Sequence, residues 1–216
     1  MRKARELRSR IYDGSLYARF LDPMLTPLHR VVAGYVPPGS SVLDVGCGTG
    51  NLAIIMADPA AEVVGVELSP AMANYARQRM TREQIHNVAI EAGDATQVLA
   101  GRPADTFDLA TMVLALHEMP TDARAPVLQE ATRVAKRVIV VDFRIPLPLN
   151  LAGLRNRIAE VAAGPEHFRA FRDFSRLGGT SEIANAAGLR CKRLRVVDGA
   201  SLEISEIRRR PVRHPE

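Results

Sequence analysis

The chain has 216 residues, of which 47% are hydrophobic and 25% charged, a composition that suits one compact domain with modest additions and excludes a collagen-like or disordered chain. No run approaches the roughly 20 apolar residues that cross a bilayer, and Met1-Arg2-Lys3-Ala4-Arg5-Glu6 lacks the apolar core of a secretory signal, so a cytoplasmic protein is expected. Cys47 and Cys191 have no CxxC or Cys/His spacing around them, which excludes a disulfide framework and a structural zinc site. The formal charge of +5 is uneven: residues 1–30 hold seven Lys/Arg against three Asp/Glu, and residues 189–216 hold eight against four. Arg2, Lys3, Arg5, Arg8 and Arg10, with Arg208, Arg209, Arg210 and Arg213, read as solvated termini, because no aromatic residues interleave the basic tail. The competing reading is peripheral contact with an anionic membrane surface; a nucleic-acid partner is not expected.

From Tyr17 the apolar positions Phe20, Leu21, Met24, Leu28, Val31 and Tyr35 step by three or four residues, which predicts helical packing interrupted at Pro23 and Pro27 as two short helices. Pro37-Pro38-Gly39 stops the helix, and Ser41 to Val45 reads as a strand running into Gly46-Cys47-Gly48-Thr49-Gly50. A helix from Asn51 to about Ala57 is predicted next. Glu62 to Glu67 is an apolar run of the kind covered on both faces, followed by Ser69-Pro70 as N-cap and first helical residue. Strands at Val88–Glu91, Phe107–Leu114 and Arg137–Asp142 continue the alternation, with a helix near 121–134 and a shorter one after Asp94. Residues 150–175 read as two added helices forming a cover. Thr180 is predicted to cap a last helix that Gly188 ends. Leu189–Val197 and Ser201–Ile207 then form a hairpin across Asp198-Gly199, with a bulge where the apolar set changes parity from Leu189 and Cys191 to Leu194 and Val196. The pattern predicts an α/β fold: a three-layer, doubly wound, mostly parallel sheet of seven strands with a C-terminal antiparallel hairpin.

In an open parallel sheet the ligand lies beyond the carboxyl ends of the strands, and the informative residues fall there. Gly46, Gly48 and Gly50 let backbone amides approach a ligand at a helix start. Glu67 ends the second strand, where a carboxylate can accept from both hydroxyls of a ribose. Asp94, in Gly93-Asp94-Ala95, can accept from an exocyclic amine. Together these describe an adenosine site. The dinucleotide pattern G-x-G-x-x-G fails because Asn51 stands where its third glycine belongs, and no Gly-Lys-Ser/Thr follows to make a P-loop. Asp44, just ahead of the loop, would repel a diphosphate but suits an ammonium group, directly or through water. The expected ligand is an amino acid joined to adenosine.

Val42-Leu43-Asp44-Val45-Gly46-Cys47-Gly48-Thr49-Gly50 resembles the first motif of class I S-adenosylmethionine-dependent methyltransferases. Val64 to Pro70, Gly93-Asp94-Ala95 and Phe107-Asp108-Leu109 match that family's later landmarks in order and distance, so the resemblance covers residues 38 to 142 and extends to the terminal hairpin. In motif layout the chain is similar to the ubiquinone/menaquinone-biosynthesis type of small-molecule methyltransferase. The resemblance implies a Rossmann-like single domain over 1–216: an N-terminal helical cover (1–36), a cofactor-binding core (37–142), a helical insertion over the substrate site (143–178), and a last helix with the hairpin (179–216). It implies S-adenosyl-L-methionine as cofactor, S-adenosyl-L-homocysteine as product, no metal, and a small-molecule acceptor methylated on O, C or N.

The resemblance also assigns residues. Gly46, Cys47 and Gly48 would lie against the methionine part with Gly50 closing the turn, Asp44 near the amino group, Glu67 on the ribose, Leu68 and Ala95 on the adenine faces, and Asp94, following Gly93, on the adenine amine. Val113 and Leu114 would border the cofactor toward the acceptor. Cys47 reads as a small residue in a crowded loop and not as a nucleophile; Met72 reads as an adenine contact or as core. Tyr12 or Tyr17 would stand over the cofactor as an N-terminal aromatic, with Tyr17 on the buried helical stripe.

Methyl transfer from a sulfonium needs alignment and desolvation more than covalent help, but an oxygen or carbon acceptor must lose a proton. His117, in Leu114-Ala115-Leu116-His117-Glu118-Met119-Pro120, is the candidate base; the competing reading is a loop-fixing histidine. Thr121 stands where H-E-x-x-H needs its second histidine, so no zinc signature is present. Asp142 ends the fifth strand and could face the pocket or fix a loop. Phe168, Phe171 and Phe174, with Arg169 and Arg172, could give an acceptor pocket an apolar floor with cationic groups. The alternatives are a phospholipid amine N-methyltransferase held on an anionic membrane by the basic ends, and a non-enzymatic cofactor-binding protein. A nucleic-acid methyltransferase is disfavoured because no Asn/Asp-Pro-Pro-Tyr/Phe tetrad occurs.

Overall fold

A computed structural model describes residues 14–211, so Tyr12, Arg2, Lys3, Arg5, Arg8, Arg10 and Arg213 lie outside the described residues. The described residues fall into two units that divide between Thr111 and Met112. The first holds α1 (Ser15–Ala33), β1 (Ser41–Val45), α2 (Asn51–Met56), β2 (Glu62–Glu67), α3 (Pro70–Arg82), β3 (Val88–Ala92) and α4 (Ala95–Ala100), and the division falls inside β4 (Leu109–Val113). The second continues with α5 (Thr121–Val134), β5 (Val138–Phe143), α6 (Leu151–Ala162), α7 (Pro165–Arg176), α8 (Gly179–Ala186), β6 (Leu189–Val197) and β7 (Leu202–Arg209).

The strands form one seven-stranded sheet in the order β3-β2-β1-β4-β5-β7-β6. β1 is parallel to β2, with Ser41 opposite Glu62, and to β4, with Val42 opposite Leu109. β7 runs antiparallel to β5 and to β6, which gives the mostly parallel, Rossmann-like sheet with a terminal hairpin. Val42–Val45 and Val63–Val66 are buried, as continuous apolar runs should be in strands covered on both faces. From β1 the chain steps outward to β2 and β3 and returns to β4 on the other side of β1, so the direction of winding reverses at the carboxyl end of β1, where the glycine loop begins.

Local chemistry explains the element ends. Ser69 caps α3 by accepting from the Met72 amide, with Pro70 in the first turn, and Asp94 caps α4 by accepting from the Thr96 amide. Asp198 and Gly199 have left-handed φ values of 51° and 61°, and Ala200 joins them at 68°. The Ser201 amide closes this turn on the Asp198 carbonyl at 3.1 Å. The β6–β7 register shifts between Arg193 and Arg195, which makes Leu194 the extra residue of the expected bulge.

The structure corrects four expectations. α1 runs unbroken through Pro23 and Pro27, both exposed, where water can satisfy the carbonyls that lose a donor. Its inner face is not the apolar stripe: Asp22, His29 and Val32 are buried, while Phe20 and Met24 are 61% and 71% exposed. Thr180 does not cap α8; the helix starts at Gly179 after Gly178, both with left-handed φ (87° and 77°), and Thr180 lies buried inside the first turn. Phe107 and Asp108 precede β4 instead of opening it, Asp108 accepting from the Ser41 amide through its carboxylate at 3.0 Å. The two helices expected at 150–175 are present as α6 and α7, but α6 buries Gly153, Asn156 and Glu160 and exposes Leu151, Leu154, Ile158 and Val161.

Candidate functional site

In the first unit the site is built around the loop that follows β1. The amides of Gly46 and Cys47 both donate to the Val66 carbonyl, at 2.8 and 3.2 Å, which keeps the start of the loop beside β2. Gly46, Gly48 and Gly50 have φ values of 74°, 55° and 77°, a conformation that other residues reach only with strain. The glycines differ in what surrounds them. A Cβ at Gly50 would stand 2.6 Å from Met80 Cε, so this glycine permits packing, whereas a Cβ at Gly48 would meet nothing within 4 Å. Gly48 therefore presents bare backbone to open space.

Glu67 holds that loop. One carboxylate oxygen accepts from the Gly48 amide at 2.9 Å and the other from the Ser69 amide at 2.8 Å. Asp44 is 2% exposed; its Oδ1 accepts from the Thr111 hydroxyl at 2.8 Å, and its Oδ2 has no hydrogen-bond partner among the described residues. Burial pushes its carboxyl up to about 7, opposed by the Thr111 hydrogen bond and reinforced by the negative Glu67. Asp94 lies beside Glu67 through the Gly93 amide, which donates to the Glu67 carbonyl at 2.9 Å. Thr96 hydrogen bonds hold the Asp94 carboxyl below its usual range. Leu68 is exposed and Ala95 half-buried, on the same two loops.

Cys47 is settled by packing. Its sulfur would collide with any side chain at Gly65, 2.7 Å from a Cβ there, and it clusters with Ala73, Ala76, Met80 and Ile90. Burial raises its thiol well above its ordinary value, which disfavours the thiolate. Met72 is 4% exposed and belongs to the core. Tyr17 is half-buried on α1.

Behind the loop lies a buried polar network that sequence reasoning missed. Thr49 donates to the Asp22 carboxylate, whose Oδ2 is also 3.0 Å from Arg79 Nη1; Arg79 Nη2 donates to Asn51 Oδ1 at 3.2 Å. Asn51 Nδ2 is 2.9 Å from His29 Nδ1. Burial lowers His29 to about 4, so its ring is neutral and Nδ1 accepts. The available signal was two polar residues seven apart, Asp22 and His29, between apolar positions of a helix.

The second unit holds another buried polar group. His117 is 2% exposed. Its Nδ1 stands 2.8 Å from Asp142 Oδ1 and its amide donates to Asp142 Oδ2 at 3.1 Å, while the Phe143 amide donates to Oδ1 at 2.7 Å. Asp142 thus fixes the ring with Nδ1–H toward itself and Nε2 away. Nε2 lies 3.7 Å from Glu160 Oε1 and 3.9 Å from Glu118 Oε1. His167 Nε2 lies 3.0 Å from Glu160 Oε2. Burial pushes His117 down, but Asp142, Glu118 and Glu160 outweigh it and raise the ring to about 9. His167 is raised because its carboxylate neighbours outweigh its own desolvation.

Arg124 braces this group from below. It is 1% exposed and donates to the carbonyls of Leu116, Met119, His117 and Ala170, at 3.1, 3.1, 3.4 and 2.7 Å. Its guanidinium also lies over the Phe174 ring. Leu114, a non-glycine residue at φ 53°, turns the chain out of β4 toward His117, and Val113 before it is half-buried. Of the expected acceptor-pocket residues, Phe171 and Phe174 flank the His117 ring with Phe143, whereas Arg169 and Arg172 are exposed. Glu160, His167 and Arg124 were not legible as site residues.

Residues 42–137 match the Methyltransferase domain family. A demethylmenaquinone methyltransferase of Listeria monocytogenes is 35% identical over 104 residues, covering 47% of this chain and 42% of that protein. The chain thus spans less than half the length of that relative. The 27-O-demethylrifamycin SV methyltransferase of Amycolatopsis mediterranei is 27% identical over 213 residues, covering 86% of this chain and 77% of the relative. Among solved structures, a SAM-dependent methyltransferase from Aquifex aeolicus superposes with a TM-score of 0.61 at 19% identity, covering 94% of this chain and 97% of the other, a likeness of fold. Among the described residues no helix is long and apolar enough to cross a membrane.

Proposed function

We propose that this chain is a class I S-adenosylmethionine-dependent methyltransferase, a reading its matched domain and its sheet support, and that it methylates a small-molecule acceptor and leaves S-adenosyl-L-homocysteine as product. The observation that carries this reading is Asp44: a buried carboxylate with one oxygen unpartnered, at the entry to a loop whose Gly48 faces open space. A buried, unpaired carboxylate oxygen is costly alone and favourable beside a cation. The ammonium group of the methionine moiety is such a cation, so the residues fit the cofactor. When bound, the cofactor supplies a methyl group on a sulfonium, which an acceptor attacks in line.

The chain's own residues divide the work. Gly46, Cys47 and Gly48 offer backbone to the methionine part with Gly50 closing the turn, Glu67 accepts from the ribose, and Asp94, after Gly93, accepts from the adenine amine. Leu68 and Ala95 flank the base, and Tyr17 and Val113 complete the proposed set, while Met72 packs in the core. Acceptor activation is assigned to Nε2 of His117, which Asp142 orients; because the ring is raised to about 9, the base form gains as pH rises toward that value, and turnover should rise with it. The two relatives are named for demethylmenaquinone and 27-O-demethylrifamycin SV, and these names favour a small-molecule acceptor; its identity and the methylated atom stay open.

Calorimetry tests the cofactor reading. S-adenosyl-L-homocysteine is expected to bind and NAD is not; the reverse result overturns the assignment. Asp44 adds a pH signature. Its folded-state pKa is raised from 3.8 to about 7, so its contribution to stability is full below 3.8 and is lost as pH rises through about 7. A bound ammonium favours the carboxylate, so binding must release this proton below neutrality, and affinity should climb by up to about tenfold per pH unit until about pH 7 and then level off. Proton release appears as a dependence of binding heat on buffer ionisation enthalpy at pH 6. Asp44→Asn should weaken binding and abolish both effects; a pH-independent affinity in the unaltered protein excludes the role given to Asp44. His117→Gln should lower turnover about 100-fold or more with an acceptor that loses a proton, while S-adenosyl-L-homocysteine binding is unchanged. Equal turnover removes His117 from the mechanism.

A further inference from the structure

We infer that His117, Glu160 and His167 form a binding site for a divalent transition-metal ion of the zinc type. Their ligand atoms all lie within 4.8 Å of one another, contributed by the loop after β4, the C-terminal half of α6 and the first turn of α7. Around an ion with bonds of about 2.0–2.1 Å, tetrahedral ligands stand about 3.3 Å apart. The separations of 3.7 Å from His117 Nε2 to Glu160 Oε1 and 3.0 Å from His167 Nε2 to Glu160 Oε2 bracket that value.

Three independent features favour a metal over a plain ion-pair cluster. The first is orientation: His117 gives Nδ1–H to the fully buried Asp142, which leaves Nε2 turned toward Glu160. This is the carboxylate–histidine–metal relay that fixes a ligand's tautomer and raises its basicity. The second is burial of the shared carboxylate: Glu160 is 5% exposed, and its two oxygens face one imidazole each, Oε1 toward His117 and Oε2 toward His167. The third is charge. Three carboxylates, Asp142, Glu160 and Glu118, converge on two imidazoles, so with both rings neutral, as metal ligands are, the group carries net negative charge even with Arg124 counted. A dication would neutralise it.

Two imidazoles and one carboxylate suit zinc and neighbouring transition metals, whereas magnesium and calcium prefer all-oxygen sites. Three protein ligands leave a coordination position open, the arrangement of catalytic zinc sites. Glu118 Oε1, 3.6 Å from His167 Nε2, stands beside it as a fourth ligand or as the partner of a bound oxygen. With an ion in place Nε2 would be a ligand and not the base, so this site replaces the role proposed for His117: the ion would lower the pKa of a hydroxyl bound in the open position.

The test uses the untagged full chain, stripped with chelator and titrated with Co²⁺ and then Zn²⁺ in the absence of cofactor. One equivalent of Co²⁺ should give visible ligand-field absorption that one equivalent of Zn²⁺ abolishes, and Zn²⁺ but not Mg²⁺ should raise the melting temperature. Glu160→Gln and His167→Gln should each remove the absorption and the thermal shift while still binding S-adenosyl-L-homocysteine, and Asp142→Asn should weaken metal binding about 10–100-fold. Absence of both signals in the unaltered protein, or their survival unchanged in the Glu160 and His167 variants, overturns the site. Cofactor binding measured on the same samples keeps that outcome separate from a failure of the methyltransferase reading.

Discussion

Replacing Arg124 with alanine is expected to destabilise the second unit by about 4 kcal/mol, measured by urea unfolding, and to lower methyl transfer with it. The side chain is buried and serves four carbonyls on two segments, the turn at Leu116–Met119 and α7 at Ala170. Each carbonyl stranded in the interior costs about 1–3 kcal/mol, and the vacated volume adds a cavity term. Because burial already disfavours its charge, the residue is tolerated there for its geometry: a planar fork reaches several acceptors at once. Arg124→Lys keeps the charge but not the fork, and its stability should fall between the two. A lysine variant as stable as the unaltered protein would mean that charge near Asp142, and not the fork, matters.

Glu67→Ala should weaken S-adenosyl-L-homocysteine binding on the order of 100-fold, more than a single lost hydrogen bond would. The same carboxylate proposed to receive the ribose already accepts from the amides of Gly48 and Ser69, so its loss also frees the loop. Glu67→Gln is the sharper variant. Each oxygen of the carboxylate faces one backbone N–H, and an amide must turn its NH₂ toward one of them, donor against donor. Glutamine should therefore be nearly as damaging as alanine by calorimetry; near-normal affinity would show that the clamp on the loop contributes little.

Much of the first unit was legible because its signals are local. β1 and β2 are continuous apolar runs, the glycines follow directly, and Ser69, Pro70 and Asp94 cap helices by contacts within a few residues. The same holds for α5, whose 121–134 boundaries coincide with the expected helix, and for the bulge, where a change of parity marks the extra residue. What escaped is set by distant partners. In α1 the side facing inward is polar because Thr49, Asn51 and Arg79 supply hydrogen bonds from 22 to 57 residues away. In α6 the same inversion buries Asn156, whose amide donates to Ser201 Oγ at 2.9 Å. Hydrophobic periodicity assumes that burial follows apolarity, and both helices violate that premise where a polar partner waits. His117 was legible from its loop, but Glu160 and His167 lie 43 and 50 residues further on and carry no signature spacing with it. The expectation of no metal rested on the missing H-E-x-x-H, a spacing that says nothing about His117, Glu160 and His167, which come from three separate elements.

The last strand of the sheet has a consequence for how copies of the molecule behave together. β6 stands at the end of the strand order, so one row of its backbone amides and carbonyls has no neighbouring strand among the described residues. Such a row is a template for fibril-like self-association. Along β6 the exposed residues Arg190, Lys192, Arg193 and Arg195 set like charges on any approaching copy of the same edge, and the irregularity at Leu194 breaks the straight ladder a guest strand would need. The run of basic residues on β6 thereby acts as a deterrent to aggregation.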